Sequence, residues 1–281
     1  MNNKFDWNRF CKVVNKDFRN IWPLFGTSML ILAALPFAVW LFMAVLGGSN
    51  VSLPPDIRLL MIQGVAMIAA FMTPSRMYRT WNLHNEGTYY AMLPASKMEK
   101  FTSATLFSII ICPLAVYLGS MLLDIVLTIL PFGPYEQWIW QCEMGFPFTF
   151  DMSFFSQLAA AEEGAEIFSH FGSLWVISCW LGYIGSVLMF MFTSTIFKKH
   201  KVLQTILWIY LIEFALSIIL MPVMIAGFGN ADFMDWFMQL PERYSEQQFT
   251  NWLFGLSIGI NVLIIALFGW LSWRRLKKMA Y

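Results

Sequence analysis

Apolar positions along this chain fall in long, nearly unbroken runs, not in the short alternating or one-sided patterns of a water-soluble fold. Runs of roughly 18 to 25 apolar residues recur from end to end, each able to cross a hydrocarbon core about 30 Å thick at 1.5 Å per residue. They predict an all-α, polytopic membrane protein with six transmembrane helices, at about Leu24–Leu46, Ile57–Met77, Phe101–Leu130, Gly172–Phe197, Val202–Gly227 and Thr250–Trp273. Arg58, Gln63 and Pro74 interrupt the second, and the third is long enough to tilt or to project beyond the bilayer. No stretch has the polar balance of a separate soluble domain, so residues 1–281 read as one transmembrane domain.

Ahead of the first run the pattern changes. From Trp7 to Trp22, at 100° per residue, Trp7, Phe10, Val13, Val14, Phe18 and Ile21 gather on one face, and Arg9, Lys12, Lys16 and Arg19 on the other. This predicts an N-terminal amphipathic interfacial helix lying in the headgroup layer with its basic face toward anionic membrane lipid. Asp17 is out of place, because it falls on the apolar side. The segment does not read as a cleavable signal peptide, since the first apolar run is long enough to span and no small-residue cleavage site follows it.

Charge fixes an expected orientation. All but Arg58 and Arg243 of the 18 lysines and arginines lie before the first run, at the end of the second (Arg76) or between it and the third, between the fourth and fifth, or after the sixth. By the positive-inside rule those segments are cytoplasmic, both termini with them, and an odd number of spans would break the pattern. The opposite side mirrors this: the outer loop 131–171 has no Lys or Arg but carries Glu136, Glu143, Asp151, Glu162, Glu163 and Glu166. Charged residues make up 12% of the chain, where soluble domains hold about a quarter, so there is too little polar surface to meet water on all sides. A net charge of +1 gives no footprint for a nucleic-acid partner. Cys11, Cys112, Cys142 and Cys179 have neither CxxC nor metal-ligand spacing, and no disulfide framework, metal site or cofactor is expected.

The most informative stretch is the cytoplasmic segment 75–100, between the second and third runs. It mixes aromatic and polar residues, among them Trp81, His84, Tyr89 and Tyr90, and contains Glu86-Gly87-Thr88 followed by Leu93-Pro94-Ala95-Ser96-Lys97. The order implies a short helix, a break at Pro94, and a new helix whose N-terminus has capping-box spacing in Ser96 and Glu99. This arrangement resembles the permease subunits of type-2 ATP-binding-cassette (ABC) exporters. In that family a Glu-Gly-Thr-like and a Leu-Pro-x-Ser-like element occupy the loop between the second and third of six spans, with cytoplasmic termini and an amphipathic helix in front. The resemblance covers the whole chain as topology and about a dozen residues as sequence. It implies a coupling segment from Trp81 to Leu93 that seats in a separate ABC ATPase subunit, with Glu86, Gly87, Thr88, Tyr89, Tyr90, Leu93, Pro94 and Ser96 belonging to the coupling site. It also implies a second permease subunit, identical or homologous, and a prokaryotic inner membrane. The chain departs from many relatives in placing its large outer loop between the third and fourth spans.

Other chemistry is missing from the pattern. No Gly-rich phosphate cradle ending in Lys-Ser/Thr is present, so the chain is not expected to be an enzyme and any ATP-driven role needs a partner. Gly182-Tyr183-Ile184-Gly185-Ser186 lacks the setting of an intramembrane serine nucleophile. His84, His170 and His200 fall at or outside span ends, and HExxH is absent. Glu162-Glu163 reads as a solvated acidic loop. Among intramembrane ionisable residues, Glu213 lies about 16 Å above Val202, near the midplane, as a substrate-path or dimer-seam residue or as a structural hydrogen-bonding group. Asp124 is expected near the outer headgroups and Arg58 to snorkel at the outer end of the second span. Gly182, Gly185, Gly255 and Gly259 have spacings suited to close helix packing. The competing function is a polytopic membrane protein without an ATPase, an assembly factor, sensor or membrane enzyme, working through its acidic outer loop.

Overall fold

The computed structural model describes residues 5–21, 26–47, 54–78, 94–129, 138, 144–145, 149–150, 165–197, 200–228 and 246–278. Among these the fold is all-helical, apart from a two-residue antiparallel pair, β1 (Met144–Gly145) and β2 (Thr149–Phe150), inside the loop 131–171. The helices are α1 (Trp7–Ile21), α2 (Thr27–Gly47), α3 (Pro55–Met77), α4 (Lys97–Ile129), α5 (Ala165–Ile196), α6 (Lys201–Phe228) and α7 (Glu246–Lys278). By length and composition four are able to cross a membrane: α3, α4, and the stretches Ser173–Ile196 of α5 and Asn251–Arg275 of α7. Thr27–Val39 of α2 is a shorter apolar helix. At its start α4 overruns its apolar run, because a cap rather than hydropathy sets that end. Thus α4 begins at Lys97, four residues before the apolar run at Phe101, where Ser96 accepts from the Glu99 N–H and Glu99 accepts from the Ser96 N–H.

At the centre, α3 packs against α2, α4, α5 and the start of α6. Its buried residues include Leu59, Ile62, Val65, Ala66, Ala69 and Ala70; the alanines let neighbouring backbones approach. Leu59 and Ile62 meet Tyr117 and Met121 of α4, and Phe71 stacks on Phe190 of α5 at 4.5 Å between ring centroids. Small residues also seat α2 on α4, where Ser120 donates to the Ala33 carbonyl at 3.2 Å. The most extensive contact joins α5 to α7. There Gly185 lies so close to Ile264 that an added Cβ would sit 3.2 Å from its Cγ2, and Ser178 and Ser257 share a hydrogen bond of 2.9 Å. Of the glycines expected to pack closely, Gly182 and Gly185 do so against α7, whereas Gly255 and Gly259 face open space.

One irregularity has an identifiable cause. Pro113 has no N–H to give the carbonyl of Ile109 one turn back, and the helix widens into a π turn over Phe107–Ile111. An unpaired carbonyl at this depth has no water to meet. The hydroxyl of Tyr183, on α5, donates to the Ile109 carbonyl at 2.7 Å. Tyr183→Phe is expected to lower stability by about 1–3 kcal/mol, the cost of an unsatisfied buried acceptor. Thermal unfolding in mild detergent would show it. Pro113→Ala, which restores the missing N–H, should shrink that cost; an unchanged midpoint in Tyr183→Phe alone would mean the carbonyl does not depend on the phenol.

Candidate functional site

The N-terminal two turns of α4, from Ser96 to Ala104, form a junction at the basic end of the bundle. Glu99 is fully buried there and its two oxygens serve three groups. Oε2 accepts from the Ser96 N–H at 2.8 Å, Oε1 accepts from the Asp6 N–H at 2.9 Å, and Arg9 Nη2 lies 3.3 Å from Oε1. One carboxylate therefore caps α4 and ties α1 to it. An anion at a helix N-terminus also complements the positive end of the helix dipole.

One turn further on, Ser103 donates to Asp17 at 2.6 Å, which accounts for the carboxylate on the apolar side of α1. Phe10, Val13 and Asp17 form the strip of α1 that faces α4 and are buried, while Trp7 and Phe18 remain 67% and 62% exposed. The apolar face predicted for α1 is thus divided: one half docks on protein, and the other half is exposed. Burial raises the Asp17 carboxyl above its ordinary range; the Ser103 hydrogen bond and the charges of Lys16 and Lys100 oppose this without cancelling it. An acid whose folded pKa exceeds its unfolded value contributes stability that is complete below the unfolded pKa and is lost as pH rises through the folded one. Asp17→Asn should therefore melt higher than the parent at neutral pH, with the gap closing as pH falls through the carboxylate range. A gap that stays constant with pH would show that Asp17 does not titrate in this way.

The same junction gathers the other helices. Lys97 donates to the Lys277 carbonyl in the last turn of α7 at 2.9 Å, and Phe101 meets Trp273 at 5.9 Å. Arg274 and Lys277 sit over Trp270 and Trp273 at 5.0 and 5.3 Å. Tyr78, at the end of α3, is buried in a cluster with Ala104 of α4 and Leu188 and Met191 of α5. Lys201, first residue of α6, donates to the Tyr78 carbonyl at 3.1 Å and satisfies one of the orphan acceptors at the C-terminus of α3. Directly before α6, His200 lies in the left-handed region, at a φ of 44°.

Of the residues singled out from the sequence, Trp81, Glu86, Gly87, Thr88, Tyr89, Tyr90 and Leu93 lie outside the described residues. Pro94 opens the bend that precedes α4, and Ser96 is its N-cap. Glu213 is exposed on α6 and makes no side-chain hydrogen bond or ion pair among the described residues; the Ser217 hydroxyl donates to its backbone carbonyl. Two expectations are corrected. Arg58 does not snorkel to water but is 1% exposed, and Asp124, at 5%, is not an unremarkable headgroup charge. Arg58 Nη1 donates to both oxygens of Asp124, at 3.0 and 3.1 Å, because α3 and α4 pack closely enough there to exclude water. The roles of Glu99 and Asp17 in joining α1 to α4 were not anticipated, although the capping spacing and the misplaced acid were their visible signals. No group of histidine, cysteine and acidic residues able to hold a metal occurs among the described residues.

Compared with known families, curated proteins and solved structures, the chain matches no family model, no curated sequence and no solved fold. The class is defined by the fold itself. Several long apolar helices packed through small residues, with a buried ion pair between two of them, make this a polytopic, helical integral membrane protein.

Proposed function

We propose that the chain is the transmembrane permease subunit of an ABC exporter, working with a separate ATPase subunit and a second permease subunit. In this reading α2 and α6 complete a set of six spans, the basic end of the bundle is cytoplasmic, and the membrane is a prokaryotic inner membrane. The observation that carries it is how the ends of the segment 79–93 are held. Its start follows Tyr78, which is buried among α3, α4 and α5 and bonded to Lys201. Its end leads through Pro94 into the Ser96–Glu99 cap, which also holds α1. Its two flanks are therefore built into α3 and α4, so a displacement passed to those flanks moves both helices. ATP-driven closure of docked ATPases would bias the bundle between inward and outward access in this way. Glu86, Gly87, Thr88, Tyr89 and Tyr90 would form the docked surface, with aromatic anchors carrying most of the contact energy.

The test is to purify the chain in mild detergent from its native host and to identify what accompanies it. A co-purifying ATPase subunit is expected, and Tyr89→Ala with Tyr90→Ala should release it. A well-folded chain that never retains an ATPase, even after crosslinking, would refute the exporter reading. It would turn attention to the outer loop, whose β1–β2 pair packs on α3 and α5 at the opposite end.

A further inference from the structure

Docking on α4 splits the basic face of α1. Lys12 and Arg19 stay exposed, whereas Arg9 and Lys16 flank the docked strip and are half-buried. Arg9 is met there by Glu99 at 3.3 Å and by Asp6 at 3.8 Å. Lys16 arrives instead beside two lysines of α4. Lys97 and Lys100 are neighbours on the helix surface at a spacing of i, i+3. Lys100 is only 8% exposed, and the charges of both Lys16 and Lys97 act on it. Asp17 and Glu99 offset part of that repulsion. Among the described residues, cations still outnumber acids at this seam. Glu99 is shared with Arg9 and two backbone N–H groups, and Asp17 with the Ser103 hydroxyl. Like charges gathered in a partly desolvated seam repel without the full screening that water and salt give an exposed face.

We infer that the seam of Lys16, Lys97 and Lys100 binds the phosphate group of an anionic phospholipid. The inference goes beyond the permease reading and does not depend on it. A phosphodiester is negative and has unesterified oxygens that accept from ammonium groups, so a single headgroup can serve all three lysines. Depth and surroundings choose a lipid over a soluble phosphate. Lys97 and Lys100 directly precede Phe101, where the apolar run of α4 begins. The three helices that meet here each leave a large apolar side chain exposed: Phe18 of α1, Met98 of α4 and Trp270 of α7 at 62%, 48% and 53%. Acyl chains gain from covering such surface, and inorganic phosphate does not. The excess of positive charge selects an anionic headgroup over a zwitterionic one, whose own ammonium would be repelled. Sequence alone offers lipid the whole basic face of α1; the fold narrows it to one seam in which α4 supplies two of the three cations. Lys97 also donates to the Lys277 carbonyl, so a headgroup held there ties α1, α4 and the end of α7 together.

Short-chain phosphatidylglycerol added to the delipidated full chain in mild detergent tests this. Phosphatidylcholine of the same chain length and inorganic phosphate are the comparisons. Native mass spectrometry counts retained lipid, and the thermal midpoint reports its stabilising effect. The parent should retain a single phosphatidylglycerol at least about tenfold more tightly than phosphatidylcholine, and inorganic phosphate should not displace it. Lys16→Met and Lys97→Met should each weaken phosphatidylglycerol about tenfold, the loss of one hydrogen bond to a charged group. Lys12→Met removes the same charge from the exposed part of the same face and should change retention less than about twofold. Equal weakening by Lys12→Met and the seam variants would reduce the site to diffuse attraction and overturn the inference. Equal retention of the two lipids by the parent would overturn it as well, and displacement by inorganic phosphate would overturn the lipid assignment. A seam variant that melts lower without lipid, yet keeps the full shift with phosphatidylglycerol, would show a structural lysine and sink the site.

Discussion

Arg58→Leu is expected to destabilise the protein by about 3–5 kcal/mol, because it leaves the Asp124 carboxylate buried without its partner. The pair spans α3 and α4 with side chains 2% and 6% exposed, and Arg58 Nη1 holds both oxygens of Asp124. Its Coulomb attraction does little more than offset desolvation; the large penalty comes from separating the partners. Asp124→Leu should therefore cost a similar amount, and the double variant Arg58→Leu with Asp124→Leu should recover most of it. Below the pair, Leu59 and Ile62 already pack on Tyr117 and Met121, so two leucines extend an existing apolar contact. Thermal midpoints in detergent would register the single variants as drops of about 10 °C, taking roughly 2–4 °C per kcal/mol for a chain of this size. Two single variants that add in the double, with no recovery, would mean that the charges are solvated separately.

Glu99→Ala carries the second large effect, concentrated at the basic end. It removes the capping-box acceptor of Ser96, the acceptor of the Asp6 N–H and the partner of Arg9 in one change. A lost cap costs about 1 kcal/mol, and hydrogen bonds to a charged group about 1.5–3 kcal/mol each before compensation by water. A net local loss of about 3 kcal/mol is expected, or about a hundredfold less protection of the α1 and α4 N-terminal amides in hydrogen exchange. The core of α3 should keep its protection. Glu99→Gln retains an acceptor for the backbone N–H groups but loses the charge on Arg9, so it should fall between. If α1 stays protected in Glu99→Ala, the strip of Phe10, Val13 and Asp17 holds it without help. Under the permease reading, Glu99→Ala should also loosen a flank of the segment 79–93. ATPase binding would then persist while transport per ATP hydrolysed falls.

Several features of this molecule are legible in the amino-acid sequence because their causes are local. A long apolar run needs only its own backbone to be satisfied in hydrocarbon, so spanning helices announce themselves by length. The amphipathic period of α1 and the Ser96–Glu99 cap depend on residues within one or two turns of each other, and both are present. The π turn of α4 is legible in principle, since Pro113 removes a donor wherever the helix is placed. The distribution of lysine and arginine marks the basic end of the protein in the same way.

What only the tertiary structure decided is which residue meets which across helices. Arg58 and Asp124 are 66 positions apart, Asp17 and Ser103 are 86 apart, and Tyr183 and the Ile109 carbonyl are 74 apart. Hydropathy is nearly uniform around a spanning helix, so the pattern of the run does not say which way it is rotated or what faces it. Rotation is chosen by small residues that let backbones approach and by the few polar groups that must find partners in a medium without water. For that reason the sequence places Arg58 and Asp124 near the ends of their spans and still reads as two separate surface charges. It marks Glu213 as costly at its depth, while the fold of the single chain leaves that residue exposed on α6.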